Sequence, residues 1–311
     1  MPSKLKEYQN KYERDVASLK HLLEEADYKL SLKAIEFARP LHSGLRKDNK
    51  TPEFHHQVEV ALSVYDDRRR LINAGLNVDV VICAAILHDT LEDISTVSFE
   101  VIKKKFGCEV ADICRRLDKK HEWEPVRDPK HKLKLRDVFP NRALRRLFEH
   151  GWDLKKLSKT LLYYNHILES EGALVVKLHD RRGNIHTIDS YTPEKQAEYV
   201  VETRMFSAVA KQAVRLNLYP KLVGLIQYSR RQMRYAIDWH LRYFQRLADD
   251  MWCEYGRIIP LGKTGEIAKV LLAQGLIRDP RLSHPCDWLQ CPLRGKTLWP
   301  TPAPLSHRTP Q

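Results

Sequence analysis

The chain has 311 residues, 43% of them hydrophobic and 30% charged, which is enough to bury one large core with or without an appendage. No apolar run approaches the roughly 18 residues of a membrane-spanning helix, and residues 1–20 are too polar for a signal peptide, so a cytoplasmic protein without membrane partners is expected. The formal net charge of +13 suits a substrate carrying several phosphates and suits nucleic acid equally well, so charge alone does not choose between them.

Along the chain the hydrophobic period is helical. The spacing predicts amphipathic helices over residues 4–39, 55–74, 78–92, 97–119, 153–189, 193–217 and 220–250. Breaks fall at 40–52, 73–75, 106–107, 125–140, 191–193 and 219–220, where Pro and Gly cluster. Alternating strand patterns are absent, so the expected fold is all-α, an orthogonal helical bundle. Residues 1–27 read as an N-terminal helix and 221–291 as a helical C-terminal extension. Residues 292–311, with five prolines among mostly polar residues, read as a disordered tail.

Within this pattern the run His88-Asp89-Thr90-Leu91-Glu92-Asp93 follows the apolar stretch Val80 to Leu87, so four ionisable groups end a buried segment. Buried charge needs partners, and adjacent His and Asp are good ligands for a divalent metal. On a continuous helix His88 lies over Glu92 and Asp89 over Asp93, which offers ligands on one turn and carboxylates to activate water on the next. An exposed helix end with solvated acids is the plainer alternative for an isolated His-Asp pair. Further ligands stand at two places where an ionisable residue adjoins an apolar helix: His56, which opens 56–62, and Asp180, which follows 173–179. His56, His88, Asp89 and Asp180 therefore make one candidate site. Two imidazoles and two carboxylates suit Mn²⁺, with Zn²⁺, Fe²⁺ and Mg²⁺ left open by ligand type.

These residues resemble the HD-domain superfamily, and within it the (p)ppGpp hydrolase domain of RelA/SpoT homologues. The similarity runs over roughly residues 28–220. It is carried in order by Arg46-Lys47, His56-Gln57-Val58-Glu59-Val60-Ala61, Leu87-His88-Asp89-Thr90-Leu91-Glu92-Asp93, Phe106-Gly107 and Lys177-Leu178-His179-Asp180-Arg181-Arg182-Gly183-Asn184. The resemblance implies a small, hydrolase-only alarmone hydrolase of the HD-domain type. His56, His88, Asp89 and Asp180 would hold Mn²⁺, and Glu92 and Asp93 would activate water. Arg46, Lys47, Lys119, Asn184 and Thr187 would contact the nucleotide. The implied reaction removes the 3′-diphosphate of ppGpp or pppGpp as pyrophosphate, leaving GDP or GTP. A different 3′-phosphorylated nucleotide such as ppApp, or a scaffold that binds nucleic acid or a partner without catalysis, are the alternatives.

Three departures from the family pattern bear on the substrate. Gln57 stands where the family has Pro, and Gly183 stands where it has His, which opens the pocket or breaks the helix locally. The connection over about 121–156 is long, basic, carries Trp123 and Trp152, and is expected to shape a lid over the site.

Other features carry less. Six cysteines show no paired framework and are expected to be free thiols; His284, Cys286 and Cys291 match no common zinc spacing. The sequon at Asn49 has no access to glycosylation without a secretory signal. Gly262-Lys263-Thr264 resembles only the end of a P-loop. The roughly 90 residues after Tyr219 lack the strands of an alarmone synthetase domain. The Arg and aromatic cluster over 228–246 could bind RNA or a partner helix, and packing explains it more simply; homo-oligomerisation is compatible with it.

Overall fold

Several helix boundaries fall where the chain supplies caps. The computed structural model describes residues 4–46, 50–255 and 262–278. α1 (Lys4–Glu25) leads into α2 (Lys29–Ala38), then α3 (His55–Asp66) and α4 (Arg68–Ala74). α4 stops at Gly75, whose φ of 88° is readily reached without a Cβ. Asn77 caps α5 (Val78–Leu87) by accepting from the Val80 N–H, and α6 (Thr90–Asp93) follows. Ser98 caps α7 (Phe99–Phe106), and Gly107 at φ 92° turns the chain into α8 (Cys108–Leu117). After α9 (Leu135–Val138) and α10 (Asn141–Glu149), Asp153 caps α11 (Leu154–Ile167) by accepting from the N–H groups of Lys155 and Lys156. Ser170 caps α12 (Glu171–His186), and Thr192, followed by Pro193 in the first turn, opens α13 (Pro193–Arg215). α14 (Val223–Tyr255) and α15 (Gly262–Ala273) complete the described helices.

The bundle is built around α5. Every residue of α5 except Asp79 is buried, because α2, α3, α8 and α12 surround it. Asp79 has a job of its own. Its carboxylate accepts from Leu30 N at 3.0 Å, Ser31 N at 2.8 Å and Ser31 Oγ at 2.6 Å, so it caps α2, whose preceding residue Tyr28 offers no side-chain cap. From α1, Tyr12, Val16, Leu19 and Leu23 enter the same core. Leu225, Ile226 and Met233 of α14 also belong to it, while Ile237, Leu241 and Phe244 of α14 join α15 in a second apolar cluster around Ile185 and Val200. α14 thus continues the core of the preceding helices across residue 220.

The all-α expectation agrees with the architecture: among the described residues the β pairing is a lone bridge, Leu45 to Pro52. Several expected long helices are split. The span 4–39 breaks at Asp27, which takes a φ of 54°. The span 55–74 breaks at Asp67, 78–92 at His88 and Asp89, and 153–189 before Ser170, whose hydroxyl accepts from Ala173 N in place of a helical carbonyl. At Gly183 the expected local break is absent. α12 runs through it, and a Cβ there would meet nothing within 4 Å. Gln57 lies in the first turn of α3, where its amide nitrogen, oriented toward acceptors, donates to Glu53 O and Phe54 O.

The 121–156 connection is anchored at its sides. Asn165 of α11 exchanges hydrogen bonds with Leu133, Trp123 stacks on His166 at 4.2 Å, and Gln212 of α13 donates to Asp137 O. Cys83, Cys108 and Cys114 are free thiols. Lys47, Asn49, His284, Cys286, Cys291 and the 292–311 tail lie outside the described residues.

Candidate metal centre

Three elements converge at one end of α5. His56 sits in the first turn of α3, His88 and Asp89 form the turn between α5 and α6, and Asp180 lies in the middle of α12. His56 Nε2 is 3.1 Å from Asp180 Oδ1 and 4.0 Å from Asp89 Oδ2. His88 Nε2 is 3.1 Å from Asp89 Oδ2 and 3.8 Å from Asp180 Oδ1. His56, His88 and Asp180 offer ligand atoms that all lie within 4.8 Å of one another. The expected continuous helix through 88–93 is replaced by a turn, which lets His88 end α5 while Asp93 N still donates to Asp89 O at 2.9 Å.

The chemistry of these donors suits a divalent cation. His88 Nδ1 bonds Ala85 O at 2.8 Å, which aims Nε2 into the cluster. There Nε2 is buried and makes no well-aligned hydrogen bond. An orphaned imidazole nitrogen beside two carboxylates is what a metal ligand set requires.

A second ring of side chains holds the first. Lys177 is half-buried, with Nζ 2.8 Å from Asp180 Oδ2 and 5.5 Å from the centre of the Tyr163 ring. Asn184 donates to Asp180 Oδ1, and Arg46 Nη2 reaches Asn184 Oδ1 at 3.4 Å. Glu92 Oε2 accepts from the Lys119 backbone N–H at 3.3 Å, and Lys120 bonds Glu92 O and lies 3.9 Å from Asp93 Oδ1. Two expected substrate contacts are otherwise engaged. Lys119 Nζ bonds Glu202 Oε1 at 2.6 Å, and Thr187, the residue that ends α12, turns its hydroxyl to Asn184 O. His55 faces away from its neighbour His56, toward Asp15 at 2.7 Å and Glu59 at 3.7 Å, where it ties α1 to α3.

Electrostatics follow from this arrangement. Burial by itself would lower the His88 pKa, but the charges of Asp89 and Asp180 outweigh it and raise it to about 9. Burial opposes ionisation of Asp89 too, yet His88 and His56 hold it down at about 2. Asp180 lies well below the carboxylate range despite its burial, chiefly because of Lys177 and the two imidazoles. Glu92 and Asp93 move the other way: burial first and the Asp89 charge second raise both.

Sequence reasoning assigned no role to Lys177, Arg181 or Glu202. Lys177 had a local signal, being a lysine inside an apolar run three residues before Asp180. Glu202 had none, because its partners Lys119 and Arg181 are 83 and 21 residues away.

Comparison with known proteins adds to this geometry. Residues 34–147 match the family model described as HD domain, a span that includes His56, His88, Asp89, Glu92 and Asp93, with Asp180 beyond it on α12. Guanosine-3′,5′-bis(diphosphate) 3′-pyrophosphohydrolase MESH1 of Xenopus tropicalis is 29% identical over 160 residues, covering 46% of this chain and 86% of that protein. The guanosine-3′,5′-bis(diphosphate) 3′-pyrophosphohydrolase of Aquifex aeolicus is 28% identical over 171 residues, 55% of this chain and 19% of that protein. A probable chloroplastic GTP diphosphokinase of Arabidopsis thaliana is 27% identical over 173 residues, 55% of this chain and 20% of that protein. The chain therefore spans about a fifth of the length of the long relatives it matches. Among the described residues no helix is long and apolar enough to cross a membrane.

Proposed function

We propose that this chain is a Mn²⁺-dependent phosphohydrolase that removes the 3′-diphosphate of guanosine alarmones, ppGpp and pppGpp, as pyrophosphate. The observation that carries this function is the convergence of His56, His88, Asp89 and Asp180 around the orphaned His88 Nε2. The activity named for the relatives from Xenopus tropicalis and Aquifex aeolicus supports the substrate class. A cytoplasmic location is part of this reading, supported by the free thiols of Cys83, Cys108 and Cys114, which suit a reducing compartment.

In this proposal the four residues hold the ion. When bound, it would polarise the phosphoryl group and acidify an attacking water. Glu92 and Asp93 would accept the water's proton, being carboxylates about one turn beyond Asp89. Lys177 fixes Asp180 from behind, and Asn184 steadies the oxygen of Asp180 that faces both imidazoles. Arg46, next to Asn184, meets the nucleotide base. Lys119 acts by position, holding Glu92 through its backbone N–H while Glu202 engages its ammonium. Thr187 supports Asn184 at the end of α12.

The test is product analysis of the purified protein, with its metal content measured beforehand. Incubation with Mn²⁺ and ppGpp, pppGpp or ppApp should release pyrophosphate from the guanosine compounds, and a chelator should stop it. Asp89→Ala should lose both bound metal and turnover. Full activity in that variant would refute the ligand set, and pyrophosphate from ppApp alone would overturn the guanosine assignment.

A further inference from the structure

α14 has two faces of different chemistry. At about 100° per residue, Ile226, Met233, Ile237, Leu241 and Phe244 gather on one side of the helix, and all are buried. Diametrically opposite, Tyr228, Arg231, Tyr235, Trp239, Arg242 and Arg246 fall within an arc of about 80°. The stripe is about 27 Å long. Tyr235 is 63% exposed and Trp239 40% exposed, although aromatic side chains gain by burial. Trp239 stacks with Tyr243 at 6.0 Å and an interplanar angle of 10°, so a flat aromatic step stands ready on the surface. At the near end the Tyr228 ring lies beneath the guanidinium groups of Arg70 and Arg182, at 5.8 and 5.6 Å.

Basic charge dominates this stretch. Among the described residues Arg231, Arg242 and Arg246 form no ion pair, and neither does Arg234 beside them; the flanking acids are Asp238 and Asp249, both half-buried, and Asp249 accepts from the Gln245 amide. A solvated helix face usually mixes signs, and exposed rings are uncommon on it. Aromatic residues interleaved with unpaired arginines form a surface on which unpaired bases stack while phosphates meet guanidinium groups. Successive positions four residues apart rise about 6 Å, close to the phosphate spacing of an extended strand. Paired bases offer no free faces for stacking, and the stripe has no Leu, Ile or Val to enter a bilayer. The overall charge of +13 works in the same direction.

We propose that the Tyr228–Arg246 face of α14 docks single-stranded nucleic acid through base stacking on its rings and phosphate pairing with its arginines. This function is separate from hydrolysis, since no residue of the stripe belongs to the metal centre.

Fluorescence anisotropy of the full chain with labelled oligo-U and oligo-dT of about 12 nucleotides tests it, against a duplex of equal length and phosphatidylglycerol vesicles. The single strands should bind at least about tenfold more tightly than the duplex. Tyr235→Ala with Trp239→Ala should weaken strand binding by about tenfold or more. Arg242→Gln with Arg246→Gln should reduce the slope of log K against log salt by about 1.4, roughly 0.7 for each phosphate released. Circular dichroism and pyrophosphate release should match the parent in both variants. Equal affinity for strand and duplex, unchanged binding by the variants, binding to vesicles alone, or no binding at all would each overturn the proposal.

Discussion

Glu202 offers the sharpest test of how the interior is held together. It is 4% exposed, and its two oxygens bond Lys119 Nζ at 2.6 Å and Arg181 Nη2 at 2.9 Å. Burial opposes its ionisation, but Arg181 and Lys119 outweigh that and bring its pKa from 4.5 to about 2. At about 1.4 kcal/mol for each tenfold change in acidity, this contributes roughly 3 kcal/mol of stability at neutral pH. Part of that is offset by Lys119, which burial and the like charges of Arg181 and Lys177 push below its ordinary value in spite of Glu202. Glu202→Gln keeps the shape, removes the negative charge and leaves Arg181, 3% exposed, without a carboxylate partner. Breaking a buried pair on one side costs about 3–5 kcal/mol, in line with the first figure. The expected loss in Tm is roughly 6–10 °C at neutral pH.

The sign with pH is fixed by the depressed pKa. The contribution of Glu202 is complete above about pH 4.5 and is lost as pH falls toward 2, where the wild-type carboxyl also becomes neutral. The gap in Tm between wild type and Glu202→Gln should therefore narrow steadily over that window. Thermal unfolding followed by circular dichroism at several pH values reads both effects. A gap under about 2 °C at neutral pH, or one that does not change on acidification, would refute the assignment of this stability to the Glu202 charge.

Two further outcomes are expected. Glu92→Gln should keep its metal, because Glu92 stands outside the His56, His88 and Asp180 cluster, and should lose about 10²–10⁴ in kcat; metal analysis beside single-turnover rates checks it, and loss of metal would make Glu92 a ligand. Asp79→Ala removes three hydrogen bonds that cap α2 against α5 and should cost about 2–4 kcal/mol in urea unfolding, whereas an exposed cap would cost about 1 kcal/mol.

What the sequence made legible was local chemistry. The four candidate ligands stand at ends or centres of strongly apolar helical runs, so a misplaced boundary by one or two residues did not move them to the wrong face. The helix breaks were less visible. Asp67 and Ser170 interrupt helices without Pro or Gly; at Ser170 a short polar side chain takes a backbone N–H from the helical ladder, and that competition leaves the apolar period intact. Partners joined only by the tertiary fold, such as Glu202 with Lys119, or Arg46 with Asn184 138 residues away, left no periodic trace at all. Thr187, three residues after Asn184, turns its hydroxyl to Asn184 O at the end of its own helix, a bond that the spacing alone does not announce.

The disposition of Asp180 limits how the centre can work. Lys177 takes Oδ2 at 2.8 Å, while Oδ1 faces His56 at 3.1 Å, His88 at 3.8 Å and the Asn184 amide. A carboxylate held in this way has one oxygen left for a cation, so under the proposed function Asp180 ligates through Oδ1 alone. Asp89, with a third of its side chain exposed, is the freer partner and the one that can adjust as substrate enters. Lys177 therefore does two things with one contact. It neutralises a carboxylate that would otherwise be costly to bury, and under the proposed function it would keep the second oxygen from the ion. Under the proposed function, the lysine that precedes Asp180 by three residues would belong to the metal site without touching the metal.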